Sequence, residues 1–138
     1  MKTYFSIQIE NSFSEIEKVS DKIQETGDSL FINPGIINSL ILSLDELLTN
    51  VISYGYNDKN THSIEVSFFK ENDYICVRII DDAIEFNPLK RDEVDIDKSI
   101  DEKQIGGLGI HLVKKLMDDI EYKRIDGKNI LTLKKEFK

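Results

Sequence analysis

At 138 residues, with 40% hydrophobic and 32% charged residues, the chain suits one globular domain over 1–138 with a core of its own. A net charge of −8 argues against a nucleic-acid partner, which is met by a basic face. One cysteine excludes an internal disulfide, and two histidines leave no ligand set for structural zinc. With no apolar run of membrane-spanning length and no secretory pattern at the N-terminus, the expectation is a cytoplasmic protein.

Residues 3–9 alternate apolar and polar side chains, as a strand does. A helix follows, capped by Ser12 or Ser14, with Ile16, Val19 and Ile23 at helical spacing; it reaches about Thr26, where Gly27 and Asp28 end it. Asn33-Pro34-Gly35 starts a second helix, with proline near the first helical position. From 36 to 54 the apolar positions 37, 40, 41, 44, 47, 48 and 51 keep helical period, and Gly55 stands at the expected C-cap. Residues 63–70 and 74–81 read as strands joined by Glu71-Asn72-Asp73. Cys76 lies in the second of them and reads as a small buried hydrophobe. Residues 85–104 lose all periodicity, carry Pro88 and are dense in charge, the pattern of a mobile loop. A helix over 108–117 and a hairpin of 120–125 with 129–137, turning at Asp126-Gly127, complete the chain. Strands clustered beside helices predict an α+β, two-layer sandwich: a largely antiparallel, mixed sheet with three main helices on one face.

Three constellations carry chemistry. Glu46 and Asn50 are four residues apart in the long helix, so they lie about 40° apart around its axis, on a ridge away from Leu44 and Leu48. A carboxylate can take a proton there, and an amide oxygen can ligate Mg²⁺. Asp81, ending an apolar strand before Asp82 and Ala83, can accept a hydrogen bond from an exocyclic amine. Gly106, Gly107 and Gly109 around Leu108 precede a helix, where backbone amides and the helix dipole favour phosphate. No Gly-Lys-Ser/Thr follows, so this is not a Walker loop. Each feature alone also fits a bland role: a solvated helix face, a turn, a hinge.

Together, in this order, they resemble the GHKL superfamily of gyrase, heat-shock chaperones, histidine kinases and mismatch-repair ATPases. The wording "LSLDELLTNVISYGY", "DDAIEFNPL" and "GGLGIHLVKKLMD" is most similar to its anti-sigma regulatory branch, across nearly the whole chain. The resemblance implies the histidine-kinase-like ATPase fold and the cofactors ATP and Mg²⁺. It makes Glu46 the general base and Asn50 the Mg²⁺ ligand, also near phosphate. Asp81 would read the adenine amine, beside Ala83, while Ser53 would line the base pocket. Gly106, Gly107, Leu108 and Gly109 would cradle phosphates, and 85–104 would form the ATP lid. That lid is acidic on balance, which fits either a solvated loop that orders only in part or a phosphate-covering lid with Lys98 or Lys103 as its cation. His111 is expected to be structural.

Two departures stand out: Ala83 replaces the superfamily's usual glycine, and Glu85 replaces a glycine found in some members. If position 83 needs positive φ, alanine there is strained by about 1 kcal/mol or more. The implied function is a serine/threonine protein kinase acting on an anti-anti-sigma antagonist. In its other state the chain would hold a sigma factor or another regulatory target, with a homodimer among its expected states. A non-catalytic nucleotide-binding adaptor working by partner exchange is the alternative, and a detached histidine-kinase catalytic domain is a third.

Overall fold

The structure, a computed structural model, describes residues 1–90 and 108–137. The chain runs β1 (Lys2–Glu10), α1 (Phe13–Ser29), α2 (Pro34–Tyr54), β2 (Ser63–Glu71), β3 (Tyr74–Asp81), a 3-10 turn (Pro88–Lys90), α3 (Leu108–Leu116), β4 (Asp119–Ile125) and β5 (Lys128–Glu136). The strands form one sheet in the order β1-β2-β3-β5-β4, and each of the four pairings is antiparallel. Two tight hairpins fix the neighbours β2-β3 and β4-β5. In the first, Asn72 takes a left-handed φ of 54°. In the second, Asp126 (φ 51°) and Gly127 (φ 76°) are both left-handed, the combination that matches the right-handed twist of the flanking strands.

Strand periodicity decides what the helices cover. Ile75, Val77, Ile79 and Asp81 share one face of β3, and in register across β5 stand Leu133 beside Val77, Leu131 beside Ile79, and Asn129 beside Asp81. The apolar members of these rows pack with Ile64, Val66 and Phe68 of β2 against Leu40, Leu44, Leu47 and Leu48 of α2, with α1 and α3 flanking. Full burial of each large side chain contributes about 1.5–3 kcal/mol. The two rows end in buried polar residues, Asp81 and Asn129.

Helix ends follow local chemistry. Asn33 accepts from the Gly35 amide at 2.7 Å, and Pro34 opens α2. Lys135 donates to the Leu116 carbonyl at 2.8 Å, closing α3. The expected stop of α1 at Thr26 is corrected: Gly27 is buried inside the helix, which continues to Ser29. A Cβ at Gly27 would lie 2.6 Å from Ile37 Cδ1, so this glycine serves the close approach of α1 and α2. The expectation of no membrane-length apolar run also needs correction. By length and composition α2 suffices to cross a membrane, with 21 residues and an 18-residue stretch of mean hydropathy 1.4. Its apolar positions Ile37, Leu40, Leu44, Leu47 and Leu48 are nonetheless buried in the core described above.

Cys76 is fully buried on the opposite sheet face, paired with Phe69, and burial pushes its thiol up to about 11. It is an inert packing residue. Of the predicted lid, residues 85–90 leave β3 with Pro88 buried and a turn at Pro88–Lys90. The remainder of that segment, with Lys98 and Lys103, lies outside the described residues.

Candidate functional site

Because Asp81 ends the core-facing row of β3, its carboxyl is carried into the interior and is 4% exposed. Its Oδ1 accepts from the Ala83 amide at 3.0 Å and from Asn129 Nδ2 at 2.9 Å. Burial pushes the carboxyl above its ordinary value, and these two donors oppose that shift. The carboxyl stands at the wall of a cavity of about 220 Å³ between α2, β3, β5 and the loop after β3. Leu47, Val51, Ile79, Ile84, Phe86 and Pro88 give it apolar walls, and Asn50, Asp81 and Asn129 supply polar groups. This combination suits a flat, largely apolar ligand with a directional polar edge.

The N-terminal end of α3 completes the arrangement. A Cβ built on Gly109 would overlap the Glu46 carboxylate (Cδ and Oε2) and lie 2.8 Å from Glu46 Cγ. Glu46 therefore rests directly against the Gly109 backbone in the first turn of α3, where the helix dipole favours an anion. Gly109 has no left-handed φ, so the close approach alone requires glycine. Sequence position thus brings Glu46, Asn50, Asp81 and Gly109 to one end of the sheet, around the cavity and its margin.

The other predicted residues fall as follows. Ala83 is buried and its φ is not left-handed, so alanine carries no backbone strain. Its carbonyl accepts from Arg124 Nη1 at 2.8 Å. Gly55 does cap α2, but with φ −81° and ψ −17°. The absence of a side chain is what matters there: a Cβ would meet the Val51 carbonyl at 2.5 Å and Ala83 Cβ at 2.8 Å. That contact lets Ile84 donate to the Gly55 carbonyl at 2.9 Å, joining the loop to the helix end. Ser53 is exposed and does not line the cavity; its neighbour Tyr54 does. Glu85 is exposed, and His111 is half-buried on α3. Leu108 opens α3, while Gly106 and Gly107 lie outside the described residues.

Sequence reasoning missed Asn129, Tyr122 and Arg124. Tyr122 and Arg124 share a face of β4, opposite Leu131 and Asn129 of β5. Asn129 shares the face of Leu131 and Leu133, so strand parity alone marks it as a polar residue among core positions. Beside the site, His62 hydrogen-bonds Asp58 at 2.8 Å and Asp82 at 3.2 Å, which raises its pKa, and stacks on Tyr56 at 4.2 Å between centroids.

The family model described as the histidine kinase-like ATPase domain matches residues 9–135. Similar curated proteins include the serine/threonine-protein kinase BtrW of Bordetella bronchiseptica, 28% identical over 95 residues, covering 69% of this chain and 67% of the relative. The serine-protein kinase RsbW of Bacillus cereus is 28% identical over 102 residues, covering 71% of this chain and 63% of RsbW. RsbW of Listeria monocytogenes is 26% identical over 102 residues, with 71% and 65% covered. The chain thus spans about two thirds of the length of these relatives. Among solved structures, the RsbU and RsbW domains of Rv1364c from Mycobacterium tuberculosis share the fold, with a TM-score of 0.62 and 11% identity over 96% of this chain and 32% of that one. A buried aspartate at the end of a sheet strand, a carboxylate against a glycine at a helix start, and a family match over most of the sequence agree: the chain belongs to the histidine kinase-like ATPase domain family.

Proposed function

We propose that this chain binds ATP at the Asp81 cavity and transfers the γ-phosphoryl group to a serine or threonine of a partner protein. The partner is an anti-anti-sigma antagonist, and in its alternate state the chain holds a sigma factor or another regulatory target. The observation that carries the reading is Asp81, buried at an apolar cavity with one carboxylate oxygen committed to Ala83 and Asn129. The other oxygen accepts from the exocyclic amine of adenine, while Val51, Ile79 and Ile84 cover the ring faces.

The residues present fit Mg²⁺. Asn50 lines the cavity and carries an amide oxygen, and among the described residues no cluster of histidine, cysteine, aspartate or glutamate forms a cage for a metal. Mg²⁺ is commonly held by one or two protein groups together with phosphates and water, and Asn50 would be that group here. When bound, the ion supplies charge neutralisation at the phosphates. Glu46, held against Gly109, takes the proton from the serine hydroxyl as its oxygen bonds to the γ-phosphorus. The bond from that phosphorus to the β–γ bridging oxygen breaks and ADP leaves.

The departures at Ala83 and Glu85 favour the adaptor alternative; the unstrained φ at Ala83 removes the backbone argument at that position, while Glu85 is untouched by it. Titration calorimetry with ATP and ADP in the presence of Mg²⁺ tests the binding half of the proposal. Dissociation constants between about 1 μM and 1 mM, or −8 to −4 kcal/mol, are expected. Absence of both heat and thermal shift with either nucleotide would contradict it.

A further inference from the structure

The hydrogen bonds around Asn129 leave little freedom in how Asp81 is presented. The Ile84 carbonyl can only accept, and it lies 2.9 Å from one side-chain atom of Asn129, which must therefore be Nδ2. The Phe86 amide can only donate, and it lies 3.4 Å from the other, which must be Oδ1. Tyr122 donates its hydroxyl to the same Oδ1 at 2.6 Å. With the amide so oriented, its second N–H faces Asp81 Oδ1 at 2.9 Å, beside the Ala83 N–H at 3.0 Å. Two donors on Oδ1 leave Oδ2 as the place where a proton on Asp81 would sit. Ionised, Oδ2 accepts from a 6-amino purine; protonated, it donates to a 6-oxo purine.

We propose that Asn129 is a positioning residue that sets purine selectivity, its amide holding Asp81 in the acceptor form and tying it to the loop root at Ile84 and Phe86. The inference rests on the nucleotide reading given above. The surroundings of Asp81 make the amide's contribution matter. Burial pushes its carboxyl upward and neighbouring Asp82 adds to the rise, while Arg124 of β4 and the Asn129 and Ala83 donors oppose it. Tyr56, from the α2–β2 connection, and Tyr122, from β4, also feel the charge of Asp81. With the Asn129 donor removed, burial meets less opposition and Asp81 keeps its proton to higher pH.

The test compares the affinities of ATP and inosine triphosphate, whose base carries a 6-carbonyl, for wild type, Asn129→Ala and Tyr122→Phe from about pH 5.5 to about pH 8. Wild type should prefer ATP by about 10- to 100-fold. In Asn129→Ala that ratio should shrink at least about tenfold, and the pH below which ATP affinity declines should move upward. Tyr122→Phe keeps the ring while removing one of the hydrogen bonds that hold the amide, and should shift both readouts in the same direction by less. It decides the matter if the alanine variant does not fold. Equal proportional losses for the two nucleotides, or an unmoved acid limb, would show a merely structural asparagine and overturn the inference while leaving ATP binding intact. Failure of wild type to bind either nucleotide would overturn the nucleotide reading itself, and the inference with it.

Discussion

Replacing Gly109 with alanine separates stability from catalysis at this site. The added Cβ would land on the Glu46 carboxylate, with Cγ 2.8 Å away, so one of the two must move. The obstacle is the far end of a flexible side chain, which can swing aside at about 0.5–1.5 kcal/mol of rotamer strain. Alanine in place of glycine recovers up to about 1 kcal/mol of helix propensity. The net change is then within about 1 kcal/mol, a shift of only a few degrees in Tm. The carboxylate itself is displaced by the best part of a side-chain radius, and a misplacement of about 1 Å can cost about 100-fold in rate. Gly55→Ala is the contrasting control. Its Cβ meets the Val51 carbonyl at 2.5 Å, backbone that cannot swing, so a stability loss of about 1–3 kcal/mol is expected. Paired melting curves and phosphotransfer assays on the two variants are the measurement. If Gly109→Ala keeps both its Tm and full phosphotransfer, Glu46 does not act from its position against α3.

Asn50→Ala should weaken ATP binding in the presence of Mg²⁺ but scarcely without it, as calorimetry with and without chelator would show; equal losses in both would remove the Mg²⁺ role. Gly127→Ala places its Cβ in open space, so only the φ of 76° matters, and chemical denaturation should reveal a loss of about 1–2 kcal/mol. Asp58 and Asp82 raise the pKa of His62, so its contribution to stability is full below the unfolded value of about 6.5 and is lost as pH rises through the folded value. NMR titration should find His62 above its ordinary value, and His62→Gln should flatten that alkaline decline. A midpoint at or below about 6.5 would contradict the paired geometry.

Much of the fold could be read because local rules and tertiary structure agree. Helical period over 36–54 gave α2, and the Asp126-Gly127 pair gave the second hairpin with the left-handed angles it needs. Glycines were harder, since the same residue answers different demands. Gly27 near a helix end looks like a stop, yet it admits Ile37 of the next helix. Gly55 stands at the expected cap, but what it supplies is space: a Cβ would meet the Val51 carbonyl and also Ala83, far along the chain. Glu46, Asn50 and Asp81 were marked by side-chain chemistry in family order. Strand parity marks their neighbour Asn129 as a polar residue in a core row, but its partnership with Asp81, 48 residues away, follows only from the register of β3 and β5. Ser53, assigned to the base pocket by the resemblance, faces solvent instead.

The central claim, phosphotransfer with Glu46 as base, is most directly tested by Glu46→Gln, which preserves shape and hydrogen-bonding reach while removing basicity. Nucleotide affinity and phosphotransfer to the antagonist serine would be measured on the same preparation. The account predicts ATP affinity, with Mg²⁺ present, within about twofold of wild type and phosphotransfer reduced about 10²- to 10⁴-fold. Phosphotransfer that survives the substitution would show that Glu46 is not the base, and a wild type inactive toward its cognate antagonist would contradict the kinase reading altogether.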